Sequence, residues 1–368
     1  MKVAIVHEHL AQDGGAEKVV RYMQEMFPGS PIFTLVHDKK NANSFFADKD
    51  IRTSFLQRWP GGVKRYKWFL PFMPTAVESY DLKGFDVVLS SSSALAQGIL
   101  TDPGTVHVCY SHTPARYLWT DTKSYVAELP HGRFIKSFLP FYLNYLRLWD
   151  LSASKRVDYF VANSQEVAKR IQKFYQRDSK LIYPPVETHL FQPGTTRGNY
   201  FLAGGRLVPY KRFDLIVAAF NRLGLPLKIF GDGPELGKLR QQATHANIEF
   251  LGRVSAETQQ TLYQRCIAFI HPQVEDFGIT MVEAMASGRP IIAYPFGGAR
   301  EIVKEGISGT FFADQTWESL AETIIRFQPE KFDSARIVKE AENFSVATFK
   351  RDLHDFINQA WEKHRYLR

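Results

Sequence analysis

Two glutamates stand eight positions apart in a segment that could form an anion site. Glu275 lies in a polar loop that follows the apolar run 267–270. Glu283 lies in a run of good helix formers that begins at Gly278. A helix beginning there would direct its first backbone amides toward an anion. The two carboxylates would bind hydroxyl groups instead, because like charges repel, and a phosphate flanked by hydroxyls is what a nucleotide sugar presents.

A second segment supplies positive charge. Arg206 and Lys211 lie five positions apart in a loop that Gly204 and Gly205 open, after the apolar run 200–203. Two cations in such a loop would clamp a diphosphate and stabilise it as a leaving group. A basic loop alone is usually a solvated surface. The glutamates downstream are what favour the diphosphate.

The elements that must position these residues alternate between short apolar runs and helical segments. Strand-like runs lie at 3–6, 86–90, 106–110 and 158–162, and again at 199–207, 227–231, 248–254, 267–270 and 290–295. Such alternation predicts parallel sheets covered by helices, which bind ligands beyond the carboxyl ends of their strands.

The length of the chain predicts two domains. At 368 residues it is too long for one ordinary core. The paired prolines Pro184 and Pro185 cannot continue a helix and mark the boundary. We therefore expect domains at 1–183 and 184–345, followed by an amphipathic helix at 346–368.

The positive charge is concentrated in the first half. Residues 1–180 contain 24 basic and 17 acidic residues, so they hold +7 of the formal net charge of +8. The segments 51–77 and 129–149 contain no acid and interleave basic with aromatic residues. This pattern suits an anionic membrane surface, and a buried aromatic core with solvated lysines is the alternative. No nucleic-acid motif accompanies it, so nucleic acid is not an expected partner.

The cysteines and the apolar runs favour a cytoplasmic protein. Cys109 and Cys266 are isolated in or beside apolar segments, so no disulfide framework is predicted. No run approaches the roughly 20 apolar residues of a spanning helix. The His7-Glu8-His9 run lacks the helical metalloprotease spacing, and we predict no metal there.

Three further candidates lie in the first half. Gly14 and Gly15 follow the first strand, where they either form a turn or let backbone approach a ligand closely. His112 follows the run 106–110 at a strand end, and a lone histidine there is either structural or functional.

The order of these motifs resembles retaining glycosyltransferases of family four. Their two-glutamate motif has the spacing of Glu275 and Glu283, their cationic loop precedes it, and a glycine pair like Gly297-Gly298 follows. The segment Tyr110-Ser-His112-Thr-Pro114 resembles a branch that builds bacterial surface polysaccharides, mannosyltransferases among them. The resemblance covers the whole chain and is specific in 199–301.

The resemblance implies the GT-B fold, an α/β architecture of two doubly wound Rossmann-like domains facing a cleft. The first domain would bind the acceptor and the second the donor, and the C-terminal helix would cross back to the first. The pair Gly297-Gly298 would offer backbone amides at a helix start. Two departures put the identity of the sugar in doubt: His271-Pro272-Gln273 replaces the usual Pro-Ser, and Met281 stands where relatives often have proline.

The resemblance also implies roles in the donor domain. Arg206 and Lys211 would hold the diphosphate, Glu283 the ribose hydroxyls and Glu275 the sugar hydroxyls. Val254 would lie beside the base. Backbone amides of the loop after Glu275 would place the sugar: Phe277, Gly278 and Ile279.

In the first domain, Gly14 and Gly15 would approach the transferred sugar or the acceptor, and His112 would contact the donor sugar as the cleft closes. No protein base is assigned, because the departing phosphate can take the proton of the acceptor. Neither a metal nor a cofactor is expected beyond the nucleotide-sugar co-substrate.

The expected function is metal-independent, retaining transfer of a hexose, mannose favoured, from a GDP- or UDP-linked donor to a growing lipid-linked glycan in surface polysaccharide synthesis. Its expected place is the cytoplasm, peripheral on the inner face of an anionic membrane. A GT-B-fold nucleotide-sugar epimerase and a non-catalytic nucleotide-sugar-binding protein are alternatives. A nicotinamide dehydrogenase is disfavoured because no Gly-x-Gly-x-x-Gly follows the run 3–6.

Overall fold

The structure is a computed structural model that describes residues 1–122, 126, 133–194 and 196–366, and only the backbone of 133–138 and 366. It divides into two compact units. The first unit comprises Met1–Pro185 together with Phe349–Arg368, and the second comprises Val186–Thr348. The predicted boundaries were after residues 183 and 345. The C-terminal stretch belongs to the first unit.

The first unit is built on a seven-stranded parallel sheet with the order β3-β2-β1-β4-β5-β6-β7. Its strands are largely buried, as expected of a sheet covered on both faces. They are β1 (Val3–His7), β2 (Ile32–Thr34), β3 (Ile51–Thr53), β4 (Val87–Ser92), β5 (Val106–Ser111), β6 (Tyr159–Ala162) and β7 (Ser179–Leu181). The helices of this part of the chain are α1 (Gly15–Met26), α2 (Met73–Glu78), α3 (Arg116–Trp119), α4 (Arg133–Ser154) and α5 (Gln165–Tyr175).

The second unit is built on a six-stranded parallel sheet with the order β10-β9-β8-β11-β12-β13. The strands are β8 (Phe201–Gly204), β9 (Leu227–Phe230), β10 (Ile248–Gly252), β11 (Phe269–His271), β12 (Ile291–Ala293) and β13 (Gly309–Phe311). The helices are α6 (Phe213–Leu223), α7 (Leu236–Gln242), α8 (Ala256–Arg265), α9 (Ile279–Ala286), α10 (Ala299–Ile302), α11 (Trp317–Arg326) and α12 (Ser334–Ala341). The final helix, α13 (Val346–Tyr366), begins in this unit and continues into the first.

Each sheet reverses its strand order at one point. The reversal lies between β1 and β4 in the first unit and between β8 and β11 in the second. Loops leave such a point in opposite directions and open a crevice at the carboxyl ends of the strands. The prediction of two doubly wound Rossmann-like domains is confirmed.

A buried carboxylate organises the crevice of the first unit. Glu8 follows β1, and its Oε1 accepts hydrogen bonds from the four backbone amides of 93–96, at 2.9, 2.9, 3.0 and 3.2 Å. Burial favours the protonated acid, but the charge of His7 and these amides outweigh it, so the pKa of Glu8 is lowered. The carboxylate therefore ties the loop after β4 to the end of β1.

Replacing Glu8 should destabilise the first unit. We expect Glu8→Ala to lower the free energy of unfolding by about 3 to 5 kcal/mol, because four buried amides lose their acceptor. Glu8→Gln keeps a carbonyl oxygen and should lose less. The lowered pKa means that the charged carboxylate contributes stability above about pH 4.3, and that this contribution disappears as the pH falls through the folded-state pKa.

Urea denaturation of all three proteins between pH 3 and pH 7 tests this. An alanine variant as stable as the unchanged protein at pH 7 would contradict it.

Candidate functional site

The crevice of the second unit brings together two of the predicted residues. Lys211 ends a 3-10 turn in the loop after β8, and Glu275 lies in the loop after β11. Their side chains, 12% and 18% exposed, form an ion pair with Nζ 2.7 Å from Oε1. A Cβ at Gly205 would lie 3.3 Å from Lys211 Nζ, so the glycine leaves room for the ammonium group.

Glu275 is held in its charged form. Burial would raise its pKa, but the neighbouring His271 and Lys211 outweigh burial and lower it. Burial lowers the pKa of His271 to about 4, so this imidazole is neutral at neutral pH. Lys211 is therefore the cation that compensates Glu275.

Glu283 lies one turn inside α9 and is anchored to α8. Its Oε2 accepts hydrogen bonds from Gln259 Nε2 at 3.0 Å and from the Tyr263 hydroxyl at 3.1 Å. Sequence reasoning missed both donors. Their spacing of four residues on a helix was the available signal, and it puts them on one face.

The loop between the glutamates depends on glycine. Gly278 precedes the first residue of α9, Ile279, with φ +116°. Its Cβ would lie 2.4 Å from Met281 Cε. Beside it, His271 Nε2 and Thr280 Oγ1 are buried without a hydrogen-bond partner. Buried polar atoms of this kind are uncommon and concentrate at functional sites.

The glycine pair after β12 supports this loop from behind. The Gly298 amide donates to the Glu275 carbonyl at 2.8 Å, and a Cβ at Gly298 would lie 2.2 Å from the Phe277 carbonyl oxygen. The expectation that the pair offers its amides to a ligand is therefore wrong for Gly298. Its amide holds the backbone of Glu275.

The remaining donor-site candidates are placed less specifically. Arg206 lies in the same loop as Lys211, is exposed, and forms no ion pair within the part of the chain that the structure describes. Val254 is half-buried just after β10, at the edge of the sheet. The structure does not join Val254 to Lys211 or Glu275 by any described contact.

The crevice of the first unit contains a cavity of about 240 Å³. Polar side chains line it, among them His7, His9 and Glu17, together with apolar ones such as Leu35 and Met73. Glu17 Oε2 accepts a hydrogen bond from the Gly14 amide at 3.0 Å. Its Oε1 lies 3.8 Å from His7 Nε2 and 3.9 Å from His9 Nδ1. Gly14 precedes α1, and Gly15 is the first residue of that helix. Glu17 therefore binds the start of its own helix with one carboxylate oxygen and faces the two imidazoles with the other.

His112 is linked to this cavity through Ser91. Its Nε2 shares a 2.8 Å hydrogen bond with Ser91 Oγ, and the Ser91 carbonyl lies 3.1 Å from His7 Nδ1. Burial, reinforced by the charge of His7, lowers the pKa of His112 to about 4, so it is neutral at neutral pH. Burial also acts on His7, but the carboxylates of Glu17 and Glu8 outweigh it and raise the pKa of His7.

His7, Glu17 and Ser91 were not among the predicted site residues. For His7 and Ser91, polar side chains at the ends of two apolar strands, β1 and β4, were the available signal. In the described part of the chain, no three His, Cys, Asp or Glu side chains form a group suited to a metal ion.

Two family models match the chain, one in each half. "Glycosyltransferase Family 4" matches residues 13–190, and "Glycosyl transferases group 1" matches residues 186–344. The two halves of the chain are a family-four and a group 1 glycosyltransferase domain. The predicted family is thereby confirmed.

Relatives of this chain include the O-antigen chain mannosyltransferase C of Escherichia coli, 28% identical over 208 residues that cover 52% of this chain and 54% of that protein. A D-inositol 3-phosphate glycosyltransferase of Mycobacterium leprae is 25% identical over 248 residues, 56% of this chain and 57% of that protein. The chain spans about half the length of these curated relatives.

Solved structures confirm the GT-B fold prediction. Anabaena HepE in complex with UDP superposes with a TM-score of 0.73 at 17% identity, covering 98% of this chain and 100% of that one. Sucrose-phosphate synthase from Thermosynechococcus elongatus gives 0.74 at 14% identity, covering 99% and 100%. At these identities the likeness shows the fold alone.

A methyl group at Gly298 should disrupt the loop of Glu275. We expect Gly298→Ala to destabilise the second unit by about 2 kcal/mol, because its Cβ meets backbone that cannot move aside independently. Gly237→Ala is the matched control: it lies on α7, nothing lies within 4 Å of its Cβ, and it should stabilise by about 0.5 to 1 kcal/mol. Urea denaturation measures both, and equal effects would contradict the tight packing.

Proposed function

We propose that this glycosyltransferase moves a hexose, mannose favoured, from a nucleoside-diphosphate sugar to a growing lipid-linked glycan in surface polysaccharide synthesis, with retention and without a metal. This proposal rests chiefly on the ion pair of the second unit, in which Lys211 and Glu275 from the two crevice-lining loops lie 2.7 Å apart. A cation and a hydroxyl acceptor side by side suit a phosphorylated sugar.

The cations bind the diphosphate of the donor. Lys211 is nearly buried, so its attraction for an anion is screened less than on an open surface. Arg206, exposed in the same loop, adds a second charge with a planar donor set suited to phosphate.

The carboxylates and backbone amides bind the sugar and ribose hydroxyls. Glu275 takes hydroxyls of the hexose and Glu283, fixed by two donors from α8, those of the ribose. The loop at Phe277, Gly278 and Ile279 places the hexose, with Val254 beside the base.

The reaction balances without a base from the protein. The bond between the anomeric carbon and the β-phosphate oxygen breaks, and the acceptor oxygen bonds the same face of that carbon. The acceptor proton passes to an oxygen of the departing diphosphate. Lys211 and Arg206 stabilise the charge that develops there. His112 is neutral and contacts the transferred sugar as a hydrogen-bonding group.

The acceptor enters through the first unit. Its cavity is lined by both hydrogen-bonding and apolar side chains, and a sugar residue has hydroxyls and C–H groups to match both. Gly14 and Gly15 lie between cavity-lining residues of the same segment, Gln12 before them and Ala16 after them, and we assign this backbone to the transferred sugar or the acceptor.

Relatives and structural neighbours favour different donors. The similarity to an O-antigen chain mannosyltransferase supports mannose and a polysaccharide product. The structural neighbour HepE was solved with UDP-glucose, which supports a uridine nucleotide. GDP and UDP are therefore the first donors to test.

Calorimetric titration with GDP, UDP and ADP in EDTA tests the donor site. We expect one nucleotide to bind at micromolar concentration, and Lys211→Ala and Glu283→Ala to weaken it at least about ten-fold, since each removes a direct contact. Lys238→Ala, an exposed lysine of the same unit, is the control. No binding of any nucleotide, or binding that only a metal restores, would overturn the corresponding part of the proposal.

Transfer separates the proposal from its alternatives. With the matching sugar nucleotide and a bacterial lipid extract, a transferase releases nucleoside diphosphate and labels the lipid fraction. An epimerase changes the sugar without an acceptor, and a binding protein does neither.

A surface for the membrane lies on two neighbouring elements of the first unit. Segment 55–72 exposes Trp68, at 66%, and Phe72 among basic residues, and α4 exposes Phe141, Tyr145 and Leu148 at helical spacing. The elements touch where the Tyr142 hydroxyl donates to the Leu70 carbonyl. We call this set the aromatic surface. Exposed aromatic side chains among cations suit the interface of an anionic bilayer.

The second basic segment is only partly available to a membrane. Arg147 donates to the Leu118 carbonyl and to Thr122 Oγ1, and Trp149 donates to Glu78. These two side chains are therefore bonded within the first unit. Residues 129–132, and the side chains of 133–138 with Arg133 and Lys136 among them, lie outside the described residues. No helix in the described part of the chain has both the length and the apolar content to cross a bilayer.

Removing aromatic side chains from this surface should weaken membrane binding. We expect Trp68→Ser combined with Phe141→Ser to reduce cosedimentation with vesicles containing 30% anionic lipid at least about five-fold, because each buries apolar area in the interface. Ile325→Ser, an exposed apolar residue of the second unit, is the matched control. A protein that ignores such vesicles at low salt, and works equally well on free sugars, would contradict the membrane proposal.

A further inference from the structure

The ion pair between Lys211 and Glu275 must change when a donor binds. The proposed function, on which this inference rests, gives Lys211 to the diphosphate and Glu275 to the sugar. The two groups bind each other at 2.7 Å without it. Moving the ammonium toward a phosphate would leave a largely buried carboxylate without its cation, which is strongly unfavourable unless another donor replaces it.

His271 is a second neutral donor beside Glu275, in addition to Gln273, whose side chain already hydrogen-bonds that carboxylate. It ends β11, is 1% exposed, and its Nε2 has no hydrogen-bond partner. That nitrogen lies 3.9 Å from Glu275 Oε2, the carboxylate oxygen on the other side from Lys211. This distance is too long for a hydrogen bond, and a shift of about 1 Å would close it.

Gln273 decides where the proton of His271 lies. Its buried side-chain amide is 3.0 Å from Nδ1 of His271 and donates to it through Nε2. A neutral imidazole carries one proton, so an acceptor role for Nδ1 places that proton on Nε2. Burial keeps the ring neutral by lowering its pKa to about 4. The N–H that faces Glu275 is therefore present at neutral pH.

Gly278 lies beside this N–H. A Cβ at residue 278 would lie 3.5 Å from His271 Nε2 and 3.4 Å from its Cε1. The loop of Glu275 therefore lies against the imidazole, so a movement of this loop by about 1 Å is enough to join the carboxylate to the N–H.

We propose that His271 is a positioning residue that takes over Glu275 through its Nε2–H when Lys211 turns to the diphosphate of the donor. The exchange keeps Glu275 charged, compensated and oriented toward the sugar. In the His271-Pro272-Gln273 sequence, Gln273 thus sets the tautomer of the imidazole, and His271 donates its Nε2–H to Glu275.

A double-mutant cycle on nucleoside diphosphate affinity tests the exchange. The variants are His271→Leu, Glu275→Gln and the two combined, titrated with UDP and GDP. We expect His271→Leu to weaken binding about ten-fold in the unchanged background, because Lys211 then leaves an uncompensated carboxylate. The same change should cost less than about two-fold beside Glu275→Gln, where no charge is left behind.

Two further variants separate positioning from packing. His271→Gln carries an amide N–H at about the reach of Nε2 and should recover most of the affinity. His245→Leu, an exposed histidine of the same unit, should bind as the unchanged protein does. Should His271→Leu fail to fold, as thermal melting would show, His271→Asn, whose amide falls short of Glu275, replaces it in the cycle.

The outcomes are distinct. An equal loss in both backgrounds would show that His271 only packs, and no loss in either would show that it has no part in binding. Both overturn the exchange. If the unchanged protein binds neither nucleotide, the proposed function fails and the inference fails with it.

Discussion

The ion pair between Lys211 and Glu275 is the constraint on which the candidate donor site depends. Parallel strands β8 and β11 end side by side where the strand order reverses, and the loops that follow bring opposite charges to 2.7 Å in a poorly hydrated crevice. Removing one partner of such a pair is strongly unfavourable, because the other charge is then buried without compensation. It therefore fixes the position of both loops and also defines what a ligand must offer: an anion for the lysine and hydroxyls for the glutamate.

The first unit also has a buried charge at the reversal of its strand order, but it is compensated differently. At its own reversal point the buried charge is Glu8, and four backbone amides bind it in place of a cation. That carboxylate is committed to the fold. Glu17, His7 and His9 line the cavity beside it, and hydrogen bonds through Ser91 connect His7 with His112. The two sheets thus share a topology but use it for different chemistry, one crevice strongly charged and the other mixed polar and apolar.

Much of the fold was predictable because its strands and helices are recognisable from local patterns in the sequence. Buried parallel strands are continuous apolar runs in the sequence. The spacing of Glu275 and Glu283 can likewise be recognised without knowing the tertiary contacts. The contacts that complete the sites were not predictable in this way. Gln259 and Tyr263 donate hydrogen bonds to Glu283 from another helix. The amide of Gly298 donates to the backbone carbonyl of Glu275. The basic, aromatic segment 129–149 shows the same limit, since Arg147 and Trp149 turn inward while Phe141 and Tyr145 of the same helix face solvent.

The most direct test of this account is a crystal structure with the bound nucleoside diphosphate, in which the distance from Lys211 Nζ to Glu275 Oε1 is measured. We expect Nζ to bind a phosphate oxygen and to lie beyond about 4 Å from Oε1, the usual limit of an ion pair. We also expect Glu275 Oε2 to move to within hydrogen-bond distance of His271 Nε2. A structure in which the nucleotide is bound and the 2.7 Å pair is intact, with no phosphate at Lys211, would contradict it.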